Sequence, residues 1–305
     1  MSNNRLMNFN YKNLLLPFIW GVLSILPLSF NTSLAHQLSM SKEIKEKTFV
    51  TSDGIKISYL AGGQGEVTLL FIPGWLMPAE IFNSQLNYFS KSYKVISFSP
   101  RSQGKSDVYT GKNLATVRAR DIKEILQYTA AKRFVLIGWS LGVMEALDYI
   151  NRFGAQGLES LVLIDNSIGE GTPPKATAKS SKPMTTPKFI SFAKGFVKAI
   201  FKSDPPADFM KIVENSALRL ADKPSNAFSI LHKPYPREFY KDTIYATPVP
   251  IWYAITPRYS EQALIFAAKH PQGEMTIYEH SGHALFVDQA TEFNQDLESF
   301  LGKLN

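Results

Sequence analysis

The sequence predicts an α/β protein: a mostly parallel sheet flanked by helices, with a helical cap inserted between the strand ending at about 165 and the strand starting at about 249. Three observations carry this. Short apolar runs of strand length alternate with amphipathic stretches of helix length, the pattern of a parallel sheet covered on both faces. Val135-Leu136-Ile137-Gly138-Trp139-Ser140-Leu141-Gly142 runs directly into the helical spacing of Val143 to Ile150, giving strand, tight turn with serine at its apex, and helix. The alternation then stops after Asp165-Asn166 for about eighty residues and resumes at Val249.

Taken in order, Lys47–Thr51 and Ile55–Leu60 alternate as strands around Ser52-Asp53-Gly54, a hairpin signal. Val67–Ile72 reads as a buried strand ending in Pro73-Gly74-Trp75. A helix is expected from Ala79 to Phe89, a strand from Tyr93 to Phe98, a long turn over Ser99–Ser106, and an amphipathic helix from Leu114 to Ala131. Past the serine turn, Leu158–Ile164 is another apolar strand, closing on Asp165. Strands at Val249–Ile255 and Glu274–Tyr278, with helices near Ser260–Lys269 and from about Leu285 to Leu301, complete the pattern. Sheets of this kind hold their sites at the carboxyl ends of the strands.

A length of 305 residues with 45% apolar content suffices for one large α/β domain and excludes wholesale disorder. The absence of cysteine removes disulfides, thiolate nucleophiles and sulfur-bound zinc. Compartment is read from the first residues instead. Arg5 and Lys12 are the only charged side chains before residue 36, Leu14 to Phe30 is almost wholly apolar, and Ser33 and Ala35 supply small residues for cleavage. That layout predicts export, with a signal peptide at 1–35 and a mature chain from near His36; the alternative is an uncleaved anchor, which Pro17 and Pro27 oppose. The remaining chain divides into a core of 36–166 and 248–305 and a cap of 167–247.

The net charge of +7 is concentrated in that cap. Asn166 to Pro248 holds thirteen Lys and Arg against seven Asp and Glu, and the rest of the mature chain is close to neutral. Gly169 to Pro187 has linker composition. Phe189, Ile190, Phe192, Ala193, Phe196, Val197, Ile200 and Phe201 then share a helical face, with Lys188, Lys194, Lys198 and Lys202 around it. Such a helix walls an apolar pocket if it caps the site; its basic amphipathic character also suits a membrane surface. A second helix is expected over Ala207–Leu220.

Gly-x-Ser-x-Gly between a strand and a helix is the setting of a nucleophile elbow, in which glycines flank a serine on a strained turn. On this motif, and on Gly282-His283 between the last strand and the last helix, the chain resembles the α/β-hydrolase fold family. The resemblance implies a nucleophile, an acid and a histidine in that chain order, here Ser140, then an acid, then His283. The usual acid position, the loop Thr256 to Glu261, has no aspartate; some family members carry the acid one strand earlier, where this chain has Asp165. Asp165 is therefore the expected acid, with Glu261 as the alternative. The N–H groups of Leu141 and Trp75 are the expected oxyanion donors, and Gly74 and Trp139 are expected to border the substrate. The turn Ser99–Ser106 keeps Arg101, Gly104 and Ser106 of a family motif but lacks its aspartate and first glycine, and reads as scaffold.

The resulting expectation is an exported serine hydrolase acting on a carboxylic ester, lactone or related acyl compound, with no cofactor, metal or nucleic-acid partner. Gly-Trp-Ser-Leu-Gly also resembles the elbow of esterases that cleave pimeloyl-type methyl esters, although those usually carry glycine where this chain has Val143. The same triad serves cofactor-free perhydrolases and carbon–carbon hydrolases. A hydrolase-fold binding protein without turnover belongs to a different class.

Overall fold

In the computed structural model, residues 38–111, 114–172, 184–229, 231 and 236–304 are described. The expected signal peptide, the central part of the linker (173–183) and His232 lie outside them. Eight strands form a single sheet in the order β1-β2-β4-β3-β5-β6-β7-β8, with β1 (Lys45–Val50), β2 (Lys56–Gly62), β3 (Val67–Ile72), β4 (Lys94–Phe98), β5 (Arg133–Trp139), β6 (Leu158–Ile164), β7 (Ile251–Ile255) and β8 (Gly273–Ile277). The hairpin β1–β2 and the β2–β4 pair are antiparallel; every other pairing is parallel. The antiparallel strands sit at one edge, so β3, β5 and β6 are covered on both faces. Their continuous apolar sequences follow from that position.

Side chains of successive strand residues point to opposite faces, and the core divides accordingly. Leu69, Phe71, Val135, Ile137, Trp139, Val162 and Ile164 belong to one apolar layer. Leu70, Ile72, Leu136, Leu161 and Leu163 belong to the other. The first layer is closed by α1 (Asn83–Phe89) and α10 (Ala290–Gly302), through Leu86, Phe293 and Leu297. The second is closed by α2 (Leu114–Tyr128), α3 (Leu141–Phe153) and α8 (Ser260–Lys269), through Ile122, Ile125, Leu147 and Phe266.

Among the described residues, four helices stand between β6 and β7: α4 (Thr186–Ala199), α5 (Ala207–Ala217), α6 (Pro224–Ser229) and α7 (Arg237–Ala246). They do not form one separate body. Phe189, Ala193, Val197, Phe209 and Val213 of α4 and α5 extend the first layer, whereas Tyr240 and Ile244 of α7 join the second beside α3.

Several boundaries differ from the sequence expectation. The helix expected over Ala79–Phe89 opens as a 3-10 turn, Ala79–Phe82, before α1 begins. The last helix is broken: a four-residue turn of helix, α9 (Leu285–Asp288), stops at Gln289, whose φ of −119° and ψ of 49° are not helical, and α10 starts afresh. The α5 helix ends at Ala217 rather than Leu220.

Candidate active site

The site is built where β3, β5, β6 and β7 end. Ser140 follows β5 with φ 53° and ψ −116°, a region that L-residues enter only under constraint. The constraint is close packing around the turn. A Cβ at Gly142 would lie 2.2 Å from the Ile72 carbonyl oxygen, so α3 can lie against the end of β3 only with glycine there. The Ser140 N–H donates to the Ile164 carbonyl at 2.9 Å, and the Asn166 side-chain amide donates to the Ser140 carbonyl. Asn166 is itself anchored: its carbonyl accepts the Tyr253 hydroxyl at 2.7 Å. Burial pushes that phenol well above its ordinary pKa, so it remains a neutral donor.

Asp165 is the next residue after β6 and also has a left-handed backbone, φ 43°. It is 2% exposed. Its N–H donates to the Ala254 carbonyl at 2.9 Å, tying it to β7. One carboxylate oxygen, Oδ1, accepts both the N–H and the hydroxyl of Thr256, each at 2.7 Å. The other, Oδ2, lies 2.7 Å from His283 Nδ1. A buried carboxylate with partners on both oxygens is held in one orientation. That geometry selects the tautomer with the proton on Nδ1 and leaves Nε2 as the base nitrogen.

His283 sits in the loop between β8 and α9, its side chain 28% exposed. Trp139 braces it from below: the indole N–H donates to the His283 carbonyl at 2.9 Å, and the rings are 5.2 Å apart. Trp139 is 1% exposed, so its structural part is to support the histidine loop rather than to offer an open wall to substrate. Asp288 fixes the same loop from outside, accepting the N–H of Gly282 at 2.7 Å and those of Lys202 and Ser203 at 2.9 Å. Glu261, the alternative acid, is exposed in the first turn of α8. His280 is exposed as well.

Across the serine lies the loop after β3. A Cβ at Gly74 would stand 3.1 Å from the Ser140 Cβ and 3.2 Å from the Trp139 ring, so this loop runs against Ser140. Leu76, next in the loop but one, has φ 65°. The conformation is held by Gln103, fully buried, with every polar group of its amide in use. Gln103 Nε2 donates to the carbonyls of Gly74 (3.0 Å) and Met77 (2.7 Å); Oε1 accepts from Leu76 N (3.1 Å) and Arg118 Nη2 (3.2 Å). Met77 N donates to the Gly74 carbonyl at 3.2 Å. Leu76 N and Met77 N are committed, whereas Trp75 N makes no hydrogen bond among the described residues. Leu141 N, opening α3, likewise has no carbonyl one turn back. These are the two expected oxyanion donors.

The side chain of Trp75 reaches into the insert. Its indole N–H donates to the Ala227 carbonyl at 2.8 Å, and Phe192, Phe196 and Phe228 surround its ring at 5.4 to 6.0 Å. Ser216 of α5 makes a second link, donating to the Leu76 carbonyl at 2.7 Å and accepting Gly104 N at 2.9 Å. Sequence reading gave no place to Thr256, Asn166, Gln103 or Ser216. Thr256 had a usable signal, since it stands in the loop where an acid was sought and not found.

Under the elbow, Arg118 Nε lies 2.9 Å from Glu145 Oε1 of α3, and Arg101 bridges Asp53 and Asp121. Burial raises Glu145 to about 7 and Asp121 to about 6, with the adjacent arginines opposing. The turn read as scaffold is therefore the anchor of Gln103. Its Ser102, standing where the family motif has glycine, still takes φ 70°.

A serine on a strained strand-to-helix turn and a buried carboxylate–histidine pair thus stand at the carboxyl ends of the strands of an α/β sheet. The alpha/beta hydrolase fold matches residues 67–228, over half of the chain, and this protein belongs to that family. Non-heme chloroperoxidase from Streptomyces lividans is 31% identical over 120 residues, 38% of this chain and 43% of that protein. Pimeloyl-[acyl-carrier protein] methyl ester esterase from Wigglesworthia glossinidia brevipalpis is 29% identical over 105 residues, 34% and 38% of the two chains. The chain thus spans less than half the length of the curated relatives it matches. Among solved structures, an esterase from Exiguobacterium antarcticum superposes with a TM-score of 0.68 at 20% identity, covering 85% of this chain and all of that one, a likeness of fold.

Proposed function

We propose that this chain is an exported serine hydrolase that cleaves a carboxylic ester, lactone or related acyl compound through an acyl-enzyme on Ser140. The observation that carries the reading is the 2.7 Å contact between His283 Nδ1 and Asp165 Oδ2, made by a carboxylate whose other oxygen is already taken by Thr256. Ser140 Oγ attacks the carbonyl carbon while His283 Nε2 takes its proton, and Asp165 stabilises the imidazolium that forms. The N–H groups of Trp75 and Leu141 accept the charge that develops on the carbonyl oxygen. His283 then protonates the departing alkoxide. Water, deprotonated by the same nitrogen, attacks the acyl-enzyme and regenerates Ser140. The helices of the insert act as a cap whose phenylalanines favour an apolar acyl or ring group. Export rests on the amino-terminal composition alone.

A panel of p-nitrophenyl esters of increasing chain length, run on the wild type, Ser140→Ala and Asp165→Asn, tests this. Full activity in Asp165→Asn would remove the acid from the mechanism, and no turnover of any ester by the wild type would favour a binding protein. A second reading, perhydrolysis by the same triad with hydrogen peroxide replacing water in deacylation, is favoured by the name of the Streptomyces relative. Peracid formation from a short carboxylic acid and peroxide distinguishes it.

A further inference from the structure

One face of α4 is left unused by the fold and by the proposed chemistry. Phe189, Ala193 and Val197 are fully buried on its inner side. On the side away from them Lys188, Lys194 and Lys198 are exposed, followed by exposed Lys202 just past the helix. There is no Asp or Glu anywhere from Gly171 to Ser203. Among the described residues, the lysines that form ion pairs are Lys105, Lys269 and Lys303, so these four ammonium groups have no carboxylate partner. They are also not arranged around a point. Fourteen helical steps separate Lys188 from Lys202, about 20 Å, so they do not converge on a small anion.

The margin of this face is aromatic. Phe192 is 39% exposed, a large apolar side chain standing among lysines. It stacks on Phe196 with the rings 12° apart, and it lies 5.9 Å from Phe228 and 6.0 Å from Trp75. Trp75 belongs to the loop that runs against Ser140. An aromatic track therefore runs from the outer face of α4 to Trp75, in the loop that borders Ser140. An extended row of unpaired positive charge beside an exposed apolar entrance matches a planar partner that is anionic at its surface and apolar beneath it.

We propose that α4 docks this protein on an anionic lipid surface, its lysines in the headgroup layer and Phe192 dipping below it, so that the aromatic track opens onto the bilayer. Docking is independent of the chemistry; delivery of a lipophilic ester to Ser140 rests on the hydrolase reading above. Each lysine near an anionic leaflet strengthens binding by about fivefold, and the attraction is screened by salt.

Co-sedimentation of the full chain with vesicles of phosphatidylcholine, alone or mixed with phosphatidylglycerol, tests this in wild type and in the quadruple variant Lys188→Gln, Lys194→Gln, Lys198→Gln, Lys202→Gln. Both proteins carry the same apolar segment Leu14–Phe30, so the difference between them reports the α4 face. The expected result is salt-sensitive binding that prefers phosphatidylglycerol, weakened about 600-fold in the glutamine variant, and retained when the four lysines become arginine. Turnover of a water-soluble ester by the glutamine variant stays at the wild-type level, which shows that it is folded. Ser140→Ala binds vesicles as wild type does, so a failed hydrolase reading leaves the docking result standing. Equal vesicle binding by wild type and glutamine variant, equal affinity for both vesicle types, or preference for polyglutamate over vesicles would each overturn the proposal.

Discussion

The two sides of the site are held by different parts of the molecule. On the acid–base side, Asp165, Thr256 and Trp139 are strand-end residues, and the bonds that orient the carboxylate and the histidine loop come from β5, β6 and β7. On the other side, the loop Gly74–Met77 is held by side-chain bonds to distant parts of the chain: Gln103 from the turn after β4, Ser216 from α5, and the loop's own Trp75 indole reaching Ala227. The sheet thus sets the Asp165–His283 geometry directly. The loop at Trp75, proposed as an oxyanion donor, has its position tied to the insert. Substrate-dependent movement of the cap would therefore alter stabilisation of the transition state before it altered the triad. The insert is not wholly separate from the histidine, because Asp288 and the Ile200 carbonyl also meet the histidine loop, but those bonds reach its backbone from outside.

The comparison can be broken at several points. The largest effect is expected at Asp165→Asn, which leaves the wrong tautomer facing the serine and lowers kcat by about 10⁴-fold, as loss of the acid does in other serine triads; Glu261→Gln changes steady-state rates by no more than about twofold. Next is the oxyanion side. Ser216→Ala combined with Trp75→Phe cuts both links to the insert, and kcat is expected to fall about a hundredfold with little change in KM, the signature of a transition-state interaction. Unchanged kcat there would show that Gln103 alone suffices. Thr256→Val removes one of two donors to Oδ1 while keeping the backbone one, and about a tenfold loss in kcat is expected. Thermal melts on each variant separate these losses from unfolding.

The smallest effect concerns stability rather than rate. Burial raises Glu145 to about 7. The folded protein keeps a proton on Glu145 that the unfolded chain has released, so this group's contribution to stability is greatest below the unfolded carboxyl pKa of about 4.3. It falls as pH rises toward about 7 and is level above that. Glu145→Gln removes this slope; the difference in Tm between about pH 5 and about pH 8 shrinks relative to wild type. A variant that kept the full wild-type slope would assign the titration elsewhere, Asp121 first.

Legibility in the sequence followed the same division. The strands and the strand–turn–helix at Ser140 were readable because apolar period is a local property, and parallel strands bring their ends together by construction; the expected roles of Asp165 and His283 came from the resemblance to the hydrolase family. Asp165 was reachable from the missing aspartate after β7. The braces of the oxyanion loop were not. They are side-chain-to-backbone bonds between residues 27, 140 and 152 positions apart, and no local pattern marks which glutamine or serine will make them. The bond from the Trp139 indole to the His283 carbonyl was out of reach for a related reason, since only the packing brings residues 144 positions apart together. The break at Gln289 likewise depends on tertiary contacts, since Asp288 is engaged by Gly282, Lys202 and Ser203.

The central claim is that Ser140 is a nucleophile activated by His283. Reaction of the folded protein with a fluorophosphonate, followed by peptide mass spectrometry, addresses it without knowledge of the substrate. The expected result is one stoichiometric adduct on Ser140, abolished in Ser140→Ala and slowed by several orders of magnitude in His283→Ala. Folded wild-type protein that left Ser140 unlabelled, or labelled it equally fast with and without His283, would contradict the account.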